Sequence, residues 1–361
     1  MTSLVEIQLI AVLISISCSL VGVFLVLQKM AMMCDAITHT ILLGIVLGYF
    51  IVKDLNSPYL ILGATIIGVV TVWLIQLISD TKLVAKDASI GIIFSFLFSV
   101  GIILISLFAS STHLDTDSIL LGELVFAPFN RLVIFGVDIG AKAIYTSGGI
   151  LLINMLFIGL FFKELKLVTF DPLLAVSLGI SPIIINYMLM TLVSLTTVGA
   201  FESVGSLLVI AFMIVPANTA YLLTDDLDKM IALSILFGGV SAIVGCQFAF
   251  ALDISIAGSI SMACGLIFGI VFVLAPEKGL VYTWLKKKKQ KKEFEELLVL
   301  FYINKNNSLD NININIDKLN NTIESLVKQN KLEIKDNNNL NKDACITPLG
   351  LDFLNLNNFL K

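Results

Sequence analysis

The stretch Met30–Gly48, MAMMCDAITHTILLGIVLG, places an aspartate and a histidine, Asp35 and His39, four residues apart. On a helix that spacing puts both side chains on one face, one turn apart. Carboxylate oxygen and imidazole nitrogen are both donors to divalent transition metals. An ionisable side chain within an apolar span costs roughly a few kcal/mol or more, and such groups face a cavity or a partner. Two readings fit the residues: a metal-binding pair, or an Asp35 that caps the helix start with His39 hydrogen-bonding beside it. Two ligands from one chain are too few for tight binding. A two-fold pair of chains would supply two carboxylates and two imidazoles, enough for four-coordinate zinc or, with waters, six-coordinate manganese.

The elements that must position this pair are apolar throughout. The 361-residue chain is 57% hydrophobic and only 14% charged, a mixture that could not cover the surface of a soluble domain of this size. Long apolar runs recur from Leu4 almost to Leu285, each near the ~20 residues a helix needs to cross hydrocarbon. Nine spans are expected: Leu4–Leu27, Met30–Val52, Pro58–Ile78, Ser89–Phe108, Ile144–Phe162, Ile183–Val198, Ser206–Leu223, Met230–Phe250 and Ser255–Leu274. The run Ile119–Val137 is broken by Pro128, Asn130 and Arg131, and reads as a re-entrant or short helix rather than a crossing. The first segment lacks a basic start and reads as a retained span, not a cleaved leader. Lys82, Lys86, Lys163, Lys166, Lys229 and the run Lys286–Lys292 share one side of a nine-span topology. Lys53, Arg131 and Lys142 fall on the other. That asymmetry predicts a cytoplasmic carboxyl end and an external amino end.

The fold class is thus an all-α polytopic membrane protein with a small cytoplasmic tail. Residues 1–285 form the membrane domain, and 286–361 a Lys-rich linker followed by a winged-helix-like α+β module. Helix patterns at Phe294–Tyr302 and Ile316–Gln329 precede strand patterns at Lys331–Lys335 and Ala344–Thr347, and a last helix begins at Pro348. The lysines KKKKQKK read as an anchor to anionic lipid headgroups. Nucleic acid is not an expected partner, because Lys318 and Lys328 on the candidate recognition helix are offset by Asp317 and Glu324. A regulatory or protein-docking role is expected for the tail instead.

Further candidate residues lie in the loops. His113, Asp115 and Asp117, with Glu123 close by, either gather cations at an outer pore mouth or form a solvated loop. Glu202, between the sixth and seventh spans, is a candidate outer gate. On the inner side, Asp171 and Pro172 make a helix start and Gly179 a stop. A short amphipathic helix there would suit a partner that drives the spans. The five cysteines are scattered singly and support neither a zinc finger nor a disulfide framework.

The run GVFLVLQKMAMMCDAITHTILLG (Gly22–Gly44) resembles the signature of bacterial zinc, manganese and iron uptake permeases of ABC transporters. DSILLGE (Asp117–Glu123), DPLLAVSLGI (Asp171–Ile180) and VGSLLVIAFMIVPANTA (Val204–Ala220) extend the resemblance in order from about Leu4 to Gly279. It implies a permease dimer in the bacterial plasma membrane, clamped to cytoplasmic ATPase subunits and fed by an extracytoplasmic metal-binding lipoprotein. The second permease would be a copy or a relative. The resemblance further implies that Asp35 and His39 coordinate a transported manganese, zinc or iron ion, with no permanently bound cofactor. Ala175 and Gly179 match the family's Ala-x-x-x-Gly coupling pattern, within a coupling helix that starts at Asp171. Asp117 also fits the family pattern. Cys34 departs from it, where a small residue is expected.

The chain has no Gly-x-x-x-x-Gly-Lys-Ser/Thr loop, so energy from nucleotide would have to come from a partner, and the chain itself is not expected to be an enzyme. Its two histidines form no His-Glu-x-x-His pair. Rival readings are an ABC-type permease for a chelated or organic substrate, an ion-coupled secondary metal carrier, and a membrane-anchored sensor whose tail is the working part.

Overall fold

A stretch of 42 helical residues, Pro182–Leu223, sets the topology of the membrane domain. Straight, it would be ~63 Å long, twice the ~30 Å of hydrocarbon. It is not straight, because Gly205 at its centre has φ 78° and ψ 169°, a conformation open to glycine and strained for residues with a Cβ. Thr197 Oγ1 donates to Met213 Sδ at 3.8 Å across that point, although the two would stand ~24 Å apart on a continuous helix. The chain therefore doubles back at Gly205, and the two arms are antiparallel spans.

The computed structural model describes residues 3–53, 58–108, 124–134, 137–306, 316–335 and 343–356. They divide into two compact units, Met1–Ala275 and Pro276–Lys361. The first holds α1 (Ser3–Leu27), α2 (Met32–Val52), α3 (Pro58–Asp80), α4 (Lys86–Phe108), α5 (Lys142–Leu160), α6 (Phe162–Phe170), α7 (Pro172–Ser177), the folded-back α8 (Pro182–Leu223), α9 (Leu227–Leu252) and α10 (Ile256–Leu274). Eight of these are long and apolar enough to cross a membrane. With α8 counted as two arms, they account for all nine expected spans among the described residues.

Burial sorts the spans into a core and a rim. α1, α2 and α8 are mostly buried, whereas α3, α4 and α5 present apolar side chains outward, such as Ile66, Phe96 and Leu156. Lipid is as apolar as leucine, so tight packing between helices must hold the core together. Small residues permit it: a Cβ added at Gly44 of α2 would stand 2.5 Å from the Ala64 Cα and 2.7 Å from the Gly63 carbonyl oxygen of α3.

In the described part of the broken run before α5, the chain forms no re-entrant α-helix. That part is a single 3-10 turn, Ala127–Phe129, followed by a hairpin of β1 (Arg131–Ile134) and β2 (Val137–Ala141). Antiparallel pairing from Arg131↔Ala141 to Ile134↔Val137 satisfies backbone that Pro128 and Gly140, at φ 129°, would deny to a helix.

The second unit comprises α11 (Leu280–Asn306), α12 (Ile316–Lys328), β3 (Leu332–Lys335), β4 (Asp343–Ile346) and α13 (Pro348–Leu356). β3 and β4 pair antiparallel. Leu297, Leu300, Ile303, Leu326, Leu332 and Leu354 close a core of its own. At its edge the buried Glu296 accepts hydrogen bonds from Ser325 Oγ at 3.0 Å and Gln329 Nε2 at 3.1 Å. α11 runs unbroken through the lysines, so the helix expected from Phe294 begins earlier, at Leu280.

Replacing Gly205 by alanine is expected to destabilise the first unit by ~1–3 kcal/mol, the usual cost of such a backbone conformation. Gly239→Ala, where an added Cβ meets open space, should be neutral. Thermal unfolding of both variants in detergent checks the pair.

Candidate metal site

α1 ends at Leu27 and the chain reverses within four residues to start α2 at Met32. Lys29 takes a left-handed φ of 57°, and the Met30 amide donates back to the Leu25 carbonyl at 2.8 Å. This tight turn starts α2 with no side-chain cap at Ala31. Asp35 therefore does not cap the helix. Its carboxylate sits in the first turn, where the helix macrodipole favours negative charge.

Asp35 and His39 point the same way, as their spacing predicts. His39 Nε2 lies 3.4 Å from Asp35 Oδ1, and the two side chains are 33% and 34% exposed. Met33, Cys34, Ala36, Ile37 and Thr38 around them are buried, so the pair marks an opening in an otherwise packed turn of the helix. The imidazole is held between two phenylalanines of α4, stacked on Phe94 and edge-on to Phe98, each with centroids 5.6 Å away. Its Nδ1 is buried and makes no hydrogen bond. Nε2, facing Asp35, is the nitrogen left available.

The 3.4 Å separation is long for a hydrogen bond. It is close to the ~3.3 Å between two ligand atoms bound ~2.0–2.1 Å from one tetrahedral metal ion. The pair is thus already spaced as two corners of a coordination shell. Among the described residues no group of three or more His, Cys, Asp or Glu converges. Cys34 is fully buried beside Thr197 of α8, and serves packing rather than the opening.

At the same end of this unit lies the short helix α7. Asp171 caps it by accepting from the Leu174 amide at 3.0 Å, and Pro172 takes its first position. Gly179 closes it at φ 81°, with the Ile180 amide donating to the Ala175 carbonyl at 2.9 Å and the Gly179 amide to Val176 at 3.0 Å. That is the paired arrangement of a glycine-terminated helix. Ala175 is buried, while Leu173, Leu174, Val176 and Leu178 are exposed. Gln28 Nε2, just before the turn into α2, donates to Thr169 Oγ1 of α6 at 3.4 Å, which ties this module to the base of the Asp35/His39 helix.

Glu202 is at the other end. It pairs with Lys142 at 3.7 Å, near the Glu6–Arg131 pair at 3.6 Å. It lines a cavity of about 260 Å³ with Phe126, Asn130, Thr146 and Ser203. The structure does not bring Glu202 to Asp35 and His39. His113, Asp115, Asp117 and Glu123 lie outside the described residues. One residue escaped the sequence reading: Asn154, fully buried in α5. A lone amide inside an apolar span was its signal.

Residues 1–275 match the family model described as the ABC 3 transport family. The chain belongs to that family. Among ABC 3 relatives, the manganese transport system membrane protein MntD of Bacillus subtilis is 43% identical over 282 residues, covering 78% of this chain and 95% of its own length. The zinc transport system membrane protein TroD of Treponema pallidum is 44% identical, over 76% of this chain and 75% of its own. A solved structure titled PsaBC from Streptococcus pneumoniae in complex with Fab aligns with a TM-score of 0.65 at 31% identity, covering 79% of this chain and 96% of that one. The ABC 3 match ends at residue 275, where the first compact unit also ends.

Zinc or manganese titrated into the purified chain should bind at least tenfold more weakly after Asp35→Ala or His39→Ala, about the lower bound for losing a ligand. Cys34→Ser should leave the affinity unchanged. Calorimetric titration separates these cases.

Proposed function

We propose that this chain is the membrane-spanning subunit of an ATP-driven importer for manganese, zinc or iron ions. The observation that carries the reading is the Asp35/His39 pair, set at ligand spacing and partly exposed near the start of a mostly buried span. The names of the ABC 3 relatives, manganese and zinc transport proteins, support the substrate class.

The metal is cargo, and the site suits cargo. Two ligands from one chain, completed by a second permease or by water, bind an ion firmly enough to select it and loosely enough to release it. An extracytoplasmic lipoprotein delivers the ion at the end marked by Glu202, and the ion leaves toward the cytoplasm. ATP binding and hydrolysis belong to separate subunits, since this chain carries no phosphate-binding loop. Those subunits dock on α7, whose exposed Leu173, Leu174, Val176 and Leu178 are an apolar surface awaiting a partner. Buried Ala175 and the αL residue Gly179 fix the angle at which that surface is presented.

Alternating access then follows from rigid-body motion of α7 passed into the spans. The positive-inside pattern of the loops supports a cytoplasmic position for α7 and the carboxyl end in a bacterial cell. Residues 286–361, read as a winged-helix-like module, act there in regulation or protein docking.

Uptake of radiolabelled manganese in cells carrying this chain with its ATPase should be competed by zinc or iron and lost without the chain. Gly179→Val should keep the protein in the membrane and ATP hydrolysis near its normal rate, with metal uptake reduced at least about tenfold. Uptake that ignores free metal ions, or that persists without the ATPase, contradicts the proposal.

A further inference from the structure

α5 and the docking module form one continuous stretch, since α5 leads through Phe161 directly into α6 and α7. α5 is also a rim span: Leu152, Ile153, Met155 and Leu156 face outward around a single inward-facing amide. That amide, Asn154, has no exposed surface, and its hydrogen bonds reach two core elements at once. Nδ2 donates to the Ser17 carbonyl of α1 at 3.2 Å and to Thr196 Oγ1 of α8 at 3.0 Å. Thr196 Oγ1 in turn lies 3.1 Å from Asn154 Oδ1, so either group can donate within the pair.

The next residue along α8 continues the connection. Thr197 donates to Met213 across the α8 fold and is in contact with the Cys34 thiol. Cys34 is the immediate neighbour of Asp35. Polar contacts therefore run from the docking stretch, through Asn154 to Thr196, along one peptide to Thr197, and across to the turn of α2 that carries the metal pair. Leucine has the same branched outline as asparagine, and plain packing at position 154 would not need the amide. In an apolar interior a side-chain amide holds its partners by direction and distance, so a shift of α5 must move Thr196 with it or break the bonds.

We propose that Asn154 is a positioning residue through which movement of the α7 helix reaches the Asp35/His39 pair. The inference rests on the transport reading above. Asn154 touches no metal and acts through Thr196, Thr197 and Cys34. Its loss leaves the ligands present but no longer obedient to the ATPase.

The test uses the whole transporter, permease with its ATPase subunits, reconstituted in vesicles. Metal uptake and ATP hydrolysis are measured together, and zinc binding to the permease is measured separately. Asn154→Leu and Thr196→Val should each lower ions moved per ATP by about tenfold, with zinc affinity within about twofold of wild type. The double variant should be no worse than either single one, because both remove the same link. Thr196→Ser, which keeps the hydroxyl, should restore the ratio. If Asn154→Leu does not assemble, the Thr196→Val and Thr196→Ser pair carries the test alone. Uptake and hydrolysis falling in proportion, or a ratio unchanged in both variants, overturns the role of Asn154. A wild-type complex that moves no metal overturns the transport reading instead.

Discussion

A charged side chain within a membrane span has to be supported by something other than hydrocarbon. Asp35 and His39 meet that demand together: they pair with each other at 3.4 Å, and the opening they share leaves them a third exposed. A carboxylate and an imidazole held apart at ligand distance still attract a divalent cation, because neither has its valence satisfied by a short hydrogen bond. The stacked Phe94 and edge-on Phe98 fix the ring, which limits the motion by which His39 could close that gap.

The surrounding architecture holds this turn of α2 in place. The tight α1–α2 turn fixes where the helix starts, and the Gly44 approach to Gly63 and Ala64 locks α2 against α3. α8 folds at Gly205, so both of its arms pack within the core, and the arm before the fold brings Thr197 against Cys34. The rim helices are held more lightly. α5 meets the core through the Asn154 hydrogen bonds and the Lys142–Glu202 pair, and leads into α6 and α7 at its far end. A rim element tied to a packed core by directional contacts, at Asn154 and at the Lys142–Glu202 pair, can act as a lever, since packed interiors switch between arrangements rather than deform smoothly.

What could be read in the sequence is what depends on near neighbours in the chain. The Asp35/His39 alignment follows from a spacing of four, and the α7 boundaries from Asp171-Pro172 and Gly179, each a matter of local backbone geometry. The nine apolar spans follow from length alone. The interruption at Pro128, Asn130 and Arg131 was visible, but a helix and a strand pair are equally compatible with so short an apolar run, and the chain formed a hairpin. The fold-back of α8 was visible as a gap between spans, while its pivot at Gly205 rests on a φ value no pattern reports. Asn154 stood out only as a lone amide in an apolar span; its partners Thr196 and Ser17, 42 and 137 residues away, were beyond reach.

The most direct measurement is X-ray absorption at the zinc edge of the purified, zinc-loaded permease. The account requires imidazole nitrogen and carboxylate oxygen at about 2.0–2.1 Å, with the nitrogen contribution lost in His39→Ala. A spectrum unchanged by that substitution, or one dominated by sulfur at about 2.3 Å, would place the ion elsewhere and contradict it.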